Sequence, residues 1–301
     1  MLSLLGMQVK AIGNIGTPML DALQTDISYD YFIIETSSFQ LEHIKLFAPH
    51  IAAILNITEN HLDRHKIMEQ YLHAKGQLLA HQTENDTAIL PMEYINAFWP
   101  FVHQQKVQWI NEAAYDDIIK PLLDITCKEN LIIILAIIEH LGFDISTLAP
   151  LVTQLSRPAH RMELVRTYNG ITFYNDSKST TPASTLQAVQ QCAEKPTILL
   201  LGGLSKGIDR KPLIAQLRDM HQVKIIICFG AEAEQLHAWC QEIVLESVVC
   251  PTLESALTKA LEHAQQGDTV LLSPAGSSFD LFKNFEERGN QFKALVNGLN
   301  N

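Results

Sequence analysis

Several short stretches of this chain gather groups able to manage phosphate or carboxylate charge. Glu35 closes the apolar run Tyr31-Phe32-Ile33-Ile34 and is followed by Thr36, Ser37 and Ser38. A carboxylate in that place either holds Mg2+ through oxygen ligation or caps the next helix. After a second apolar run comes Thr58-Glu59-Asn60-His61-Leu62-Asp63-Arg64-His65. His61 and His65 have the spacing of a zinc helix, but His61 lacks the adjoining Glu of a metalloprotease. His61 therefore reads as a neighbour of phosphate or Mg2+, or else as a surface histidine. Lys75 follows Tyr71 and Ala74 on a helical stretch and, by position alone, reads as solvated. His160-Arg161 could bring a fixed guanidinium to a phosphate. In Asn175-Asp176-Ser177-Lys178-Ser179-Thr180, Lys178 and Thr180 precede a helix opened by Pro182, a setting for an anion or for plain capping. Leu201-Gly202-Gly203-Leu204-Ser205-Lys206-Gly207 is a glycine-bearing turn suited to close anion approach. Ser277 and Ser278 serve a carboxylate or act as N-caps.

These groups need a frame, and the apolar pattern supplies one. Buried strands are expected at 31–35 and 51–56, and a helix over 67–82. Leu131 to Ile138 reads as a buried helix stopped near Gly142. Further strands are expected at 171–174, 197–201, 224–229 and 269–272, with helices at 182–191, 211–220, 231–239 and 253–265. Such alternation predicts an α/β protein with a mostly parallel sheet. In such sheets ligands sit at the carboxyl ends of strands, where these polar segments fall. Ser156-Arg157-Pro158 breaks the helical pattern and is the expected hinge between domains at 1–157 and 158–301.

Length and charge narrow the function. The 301 residues suffice for two domains. A formal charge of −11 argues against nucleic acid or an anionic membrane as the main partner. The five cysteines (Cys127, Cys192, Cys228, Cys240 and Cys250) form no CxxC pair, so a reduced, cytoplasmic setting is expected. The opening residues, Met1 to Ile12, are too short to span a bilayer.

Taken in order, the segments resemble the Mur ligase family, and within it the D-glutamate-adding branch. The resemblance is carried by Gly13-Asn14-Ile15-Gly16, by Glu35-Thr36-Ser37-Ser38-Phe39-Gln40-Leu41 and by Leu55 through His65. It continues in His160-Arg161-Met162-Glu163, Tyr174-Asn175-Asp176-Ser177-Lys178, Leu201-Gly202-Gly203 with Lys206-Gly207, and Leu272-Ser273-Pro274 onward to Phe285-Glu286-Glu287-Arg288-Gly289. It implies a central ATP-binding domain and a C-terminal Rossmann-like domain. It also implies ATP-dependent addition of D-glutamate to UDP-N-acetylmuramoyl-L-alanine through an acyl phosphate, a step of peptidoglycan precursor synthesis. By that resemblance Glu35, His61 and Lys75 are the catalytic and Mg2+-holding groups, Lys75 as a carbamate. Asn14, Ser37 and Gln40 lie near the UDP-sugar. Asn130, Arg161 and Asp176 serve ATP. Lys178, Thr180, Lys206, Ser278 and Phe285 shape the D-glutamate pocket.

The family pattern is not matched throughout. An N-terminal UDP-binding domain and then a phosphate loop ending in Gly-Lys-Ser/Thr precede the Gly-Asn-Ile-Gly block in the family, whereas neither is matched here and no Gly-Lys dipeptide occurs. Met1–Gly6 resembles the tail of the helix after that loop. That front portion is therefore expected to lie outside this chain, through truncation, a mis-called start or a split gene with a separate N-terminal segment, and the isolated chain is expected to be inactive. The alternatives are a non-catalytic binding module that keeps the D-glutamate pocket, or a folylpolyglutamate synthetase-like ligase. Cys127 stands where the family pairs a second asparagine with Asn130, and Gly276-Ser277 replaces the usual Cys-Ala before Ser278.

Overall fold

The computed structural model describes all residues except 23, 25, 59–61, 112, 114, 120–121, 124–127, 149–150, 152–153, 156, 193–194 and 300–301, and except the side chains of 62, 63 and 117. The chain divides into two compact units. Unit 1 comprises Met1–Ile57 and His65–Ser156; unit 2 comprises Thr58–Arg64 and Arg157–Asn301.

Among the described residues unit 1 contains five strands, all paired in parallel. β1 (Val9–Gly13) pairs with β2 (Tyr31–Glu35), and β3 (Ile51–Ala53), β4 (Thr87–Pro91) and β5 (Lys106–Ile110) form a second sheet in that order. Strand periodicity of two explains how β4 serves both faces. Ile89 packs with Leu131, Leu135 and Ile138 of the helix Lys128–His140, whereas Ala88 and Leu90 pack with Leu79 and Phe98 on the opposite side. Burying one such aliphatic side chain is worth roughly 1.5–3 kcal/mol. The expected helix over 67–82 runs only from Met68 to Gly76 before loosening into turns. Strand β3 likewise stops at Ala53, short of 56. Met1–Gly6 forms one 3-10 turn, Leu2–Leu5, closed by Gly6 at φ 87°.

Unit 2 holds one six-stranded sheet ordered β10-β9-β8-β11-β7-β6. The strands are β6 (Glu163–Tyr168), β7 (Ile171–Asn175), β8 (Thr197–Gly202), β9 (Val223–Phe229), β10 (Ser247–Cys250) and β11 (Thr269–Leu272). All pairs are parallel except β6 with β7. That hairpin turns through Asn169 and Gly170, both at positive φ, the Asn-Gly signal of a two-residue turn. The interior strands are buried on both faces. In β8, Leu199 and Leu201 face the helices Pro182–Gln191, Lys211–Arg218 and Ala233–Glu242; Ile198 and Leu200 face Leu253–His263 and Phe285–Asn297. Helices therefore change sides where β8 meets β11, the reversal at which open α/β sheets form crevices. Among the described residues no helix is long and apolar enough to cross a membrane.

Candidate active site

In unit 1 the tips of β1 and β2 are joined at Gly13-Asn14 and Glu35. Asn14 donates from its backbone nitrogen to the Glu35 carbonyl at 2.8 Å and from Nδ2 to Glu35 Oε1 at 2.9 Å. Gly13 sits at φ 102°, and a Cβ there would lie 2.4 Å from the Glu35 carbonyl oxygen, so only glycine permits the approach. Glu35 does not cap the following short helix, Ser38–Leu41. Ser37 does so, in a capping box with Gln40. The Ser37 and Gln40 side chains, expected near the UDP-sugar, thus bond to one another (Ser37 Oγ to Gln40 Oε1, 3.0 Å).

Lys75 departs from the solvated reading. It is half-buried, its ammonium lies 5.3 Å from the Tyr71 ring centroid, and burial lowers its pKa against the opposing charge of Glu35. Burial also pushes the Tyr71 phenol up to about 12. His65 has a structural role. It is buried, with Nδ1 3.1 Å from Glu42 Oε1 and Nε2 2.9 Å from Ser38 Oγ, and it stacks on Phe39 and tilts against Tyr71. His61 and Cys127 lie outside the described residues. Asn130 is half-buried in the first turn of Lys128–His140. Among the described residues no group of three or more His, Cys, Asp or Glu side chains could hold a metal. Glu35 is an oxygen donor of the type Mg2+ takes, and Lys75 would add oxygens only as a carbamate.

Unit 2 brings the loops after β7, β8 and β11 side by side, because those strands are neighbours. Leu204 and Ser277 exchange backbone hydrogen bonds of 2.9 and 2.8 Å, and Ala275 donates to the Ser179 carbonyl at 3.1 Å. Three expected anion-contacting segments, 175–180, 202–207 and 273–278, thus share one end of the sheet. Lys178 extends its ammonium to 5.3 Å from the Phe285 ring centroid. His160 packs edge-on against that ring at 5.9 Å, and Gly289 leaves it room, since a Cβ there would lie 2.2 Å from His160 Nδ1. Four of the non-glycine residues at positive φ fall in this region: His160, Met162, Lys206 and Ala275. Backbone strain of that type costs of order 1–3 kcal/mol per residue and gathers where geometry serves a ligand.

Asp176 is buried at the tip of β7 and accepts from Met162 N at 3.0 Å, from Ser273 Oγ at 2.8 Å and from Ser179 Oγ. Burial raises its carboxyl pKa against those hydrogen bonds and against the charge of Arg161, which is itself exposed. The helix Pro182–Gln191 is capped by Thr181 in a capping box with Ser184, which agrees with the plain-capping alternative. One expectation changes here. Ser278 is buried but is no N-cap, because the next helix starts at Phe285 with Asn284 as its cap. Sequence reasoning missed Arg210, Glu232 and Asp280. Charged residues of that kind read as solvated, and only the buried crossing of loops around them reveals otherwise.

The Mur ligase middle domain matches residues 2–118, and the Mur ligase glutamate ligase domain matches residues 160–276. A UDP-N-acetylmuramoylalanine--D-glutamate ligase of Ruminiclostridium cellulolyticum is 34% identical, over 95% of this chain and 68% of its own length. One of the same name from Thermoanaerobacter sp. is 33% identical, over 97% and 70%. Among solved structures, the MurF ligase of Thermotoga maritima in complex with ADP superposes with a TM-score of 0.70 at 14% identity, over 97% of this chain and 74% of that one. E. coli FolC in complex with DHPP and ADP superposes at 0.71 and 13% identity, over 98% and 84%. At such identities the superpositions establish the fold.

Proposed function

The chain belongs to the Mur ligase family, and on that premise we propose that it joins D-glutamate to UDP-N-acetylmuramoyl-L-alanine in an ATP-dependent amide ligation. The observation that carries the reading is the convergence of the loops after β7, β8 and β11, with Lys178, Lys206, Ser278 and Phe285 on or beside them. D-glutamate presents two carboxylates and an amine. Ammonium groups at Lys178 and Lys206 would neutralise the former, and close-packed loop backbone would exclude water from them.

In this reading the acceptor carboxylate attacks the terminal phosphorus of ATP and releases ADP. The D-glutamate amine then attacks the acyl carbon, and the tetrahedral adduct expels phosphate to leave the amide. Arg161 would meet a phosphate, and Asp176 would orient the nucleotide through the β7 tip. Glu35 and a carbamylated Lys75 would hold Mg2+, which supplies charge neutralisation between reacting anions. The depressed Lys75 pKa supports this, because only the neutral amine combines with carbon dioxide. Sequence relatives named as D-glutamate ligases favour that amino acid over a folate-linked substrate, for which the support is fold alone.

The test is phosphate release from ATP by this chain. Release requiring both UDP-N-acetylmuramoyl-L-alanine and D-glutamate is expected once a family phosphate-loop segment is supplied. Release indifferent to D-glutamate, or equally fast with L-glutamate, would count against the reading. Silence with the segment present, alongside intact D-glutamate binding, would favour the non-catalytic module.

A further inference from the structure

The two largest fully buried side chains among the described residues are cations, Arg210 and Arg288. Arg288, from the first turn of Phe285–Asn297, reaches two loops at once. Its Nε donates to Ser177 Oγ at 3.0 Å, Nη2 to the Ser177 carbonyl at 2.8 Å, and Nη1 to the Gly276 carbonyl at 3.0 Å. Arg210 holds the third loop: Nη1 donates to the Gly202 carbonyl at 3.0 Å and Nη2 to the Gly203 carbonyl at 3.2 Å, with Nη2 also paired to Glu232 Oε2. Glu232 Oε1 in turn accepts from Ser205 N at 3.0 Å. The two guanidiniums flank one crossing. A Cβ on Gly203 would lie 3.1 Å from Arg288 Nη1, and one on Gly276 would lie 3.0 Å from Arg210 Nη1. Nearby, Asp280 Oδ2 accepts from Ala231 N at 3.0 Å and bears electrostatically on both arginines.

A buried cation is unfavourable unless its hydrogen bonds are met, and apolar residues would fill the same space without that cost. The arrangement therefore calls for a reason beyond packing. We propose that Arg210 and Arg288 are positioning residues for an anionic amino-acid site. Together they lock the loops after β7, β8 and β11 into one geometry and lay fixed positive charge beneath them. A dicarboxylate then meets Lys178, Lys206 and Ser278 already in place. The planar fork matters, because a lysine ammonium cannot span acceptors on two loops. The identity of the ligand rests on the D-glutamate reading above; the clamp itself does not.

The test compares the parent chain with Arg288→Lys, Arg288→Met, Arg210→Lys and Ser177→Ala. Amide hydrogen exchange is measured, and D-glutamate is titrated while the amide resonances of residues 177–180 and 276–278 are followed. In Arg288→Lys the amides of Lys178 and Ser277 should exchange roughly tenfold faster, with the β8 and β11 interiors unchanged and D-glutamate bound more weakly by a similar factor. Arg210→Lys should do the same at Leu204 and Ser205. Ser177→Ala removes one acceptor and should give a smaller shift of the same sign, which keeps the test decisive if the arginine variants fail to fold. Unchanged loop exchange in Arg288→Lys or Ser177→Ala overturns the proposal. So does a loss confined to Arg288→Met, because charge alone would then suffice. Loosened loops in a chain whose parent ignores D-glutamate would leave the clamp standing and remove the D-glutamate reading.

Discussion

At the scale of single residues, burial decides which polar groups can do chemistry. Lys75 and His65 illustrate opposite outcomes. Both fall on or beside the helical stretch after residue 57, yet His65 is bonded to Glu42 and Ser38, while Lys75 keeps a depressed amine within electrostatic reach of Glu35. Replacing Lys75 with Ala should lower ligation by roughly 10²-fold or more, with partial rescue by small carboxylic acids in the phosphate-release assay. No rescue, with no added mass on Lys75 in the parent chain, would argue against a carbamate. His160 yields a second prediction. Burial, helped by Lys293 and Lys178, depresses its pKa below the ordinary imidazole value of 6.5 despite Glu163 and Glu286. The unfolded chain therefore takes up that proton first on acidification. Stability from this site is present above the ordinary imidazole value and is lost as pH falls through the folded one. Melting temperature should drop over that window, and His160→Gln should flatten the slope; an unaltered slope would exclude His160 as its source.

At the scale of elements, loops are shaped by what the adjacent strands bring alongside. Gly203 sits at φ 72° with the Ser277 carbonyl oxygen 2.2 Å from where a Cβ would stand. Gly203→Ala should cost about 2–5 kcal/mol, from strain at positive φ plus overlap, measurable by denaturant unfolding. A loss under 1 kcal/mol would mean the crossing is looser than described. Strands with unbroken apolar runs, such as β8 and β11, were legible from the residues. The outer strands β6 and β10 were not: β6 has no fully buried position and its register shifts between Leu164 and Arg166, and β10 is only half-buried before Cys250. The Asn169-Gly170 turn was the available signal for β6. The helix at 233–242 starts two residues later than expected, with Glu232 as its N-cap and the Glu232 side chain bonded to Ser205 and Arg210.

At the scale of the whole molecule, each unit has its own pair of apolar clusters, one on each side of its buried strands. A fragment spanning Arg157–Asn301 should therefore fold alone and melt in one cooperative transition, read by circular dichroism. A broad, non-cooperative melt would show that it needs the rest of the chain. The residue pattern alone determined the α/β class, most interior strands and the polar segments at their carboxyl ends, since those follow from local periodicity and the chemistry of adjacent side chains. It also carried the family resemblance that the relatives bear out. Only the tertiary structure decided that the loops after β7, β8 and β11 meet and that Arg210 and Arg288 are interior cations. Strand order and burial arise from contacts between residues far apart in the chain, and no local pattern encodes which distant partner will satisfy a charge.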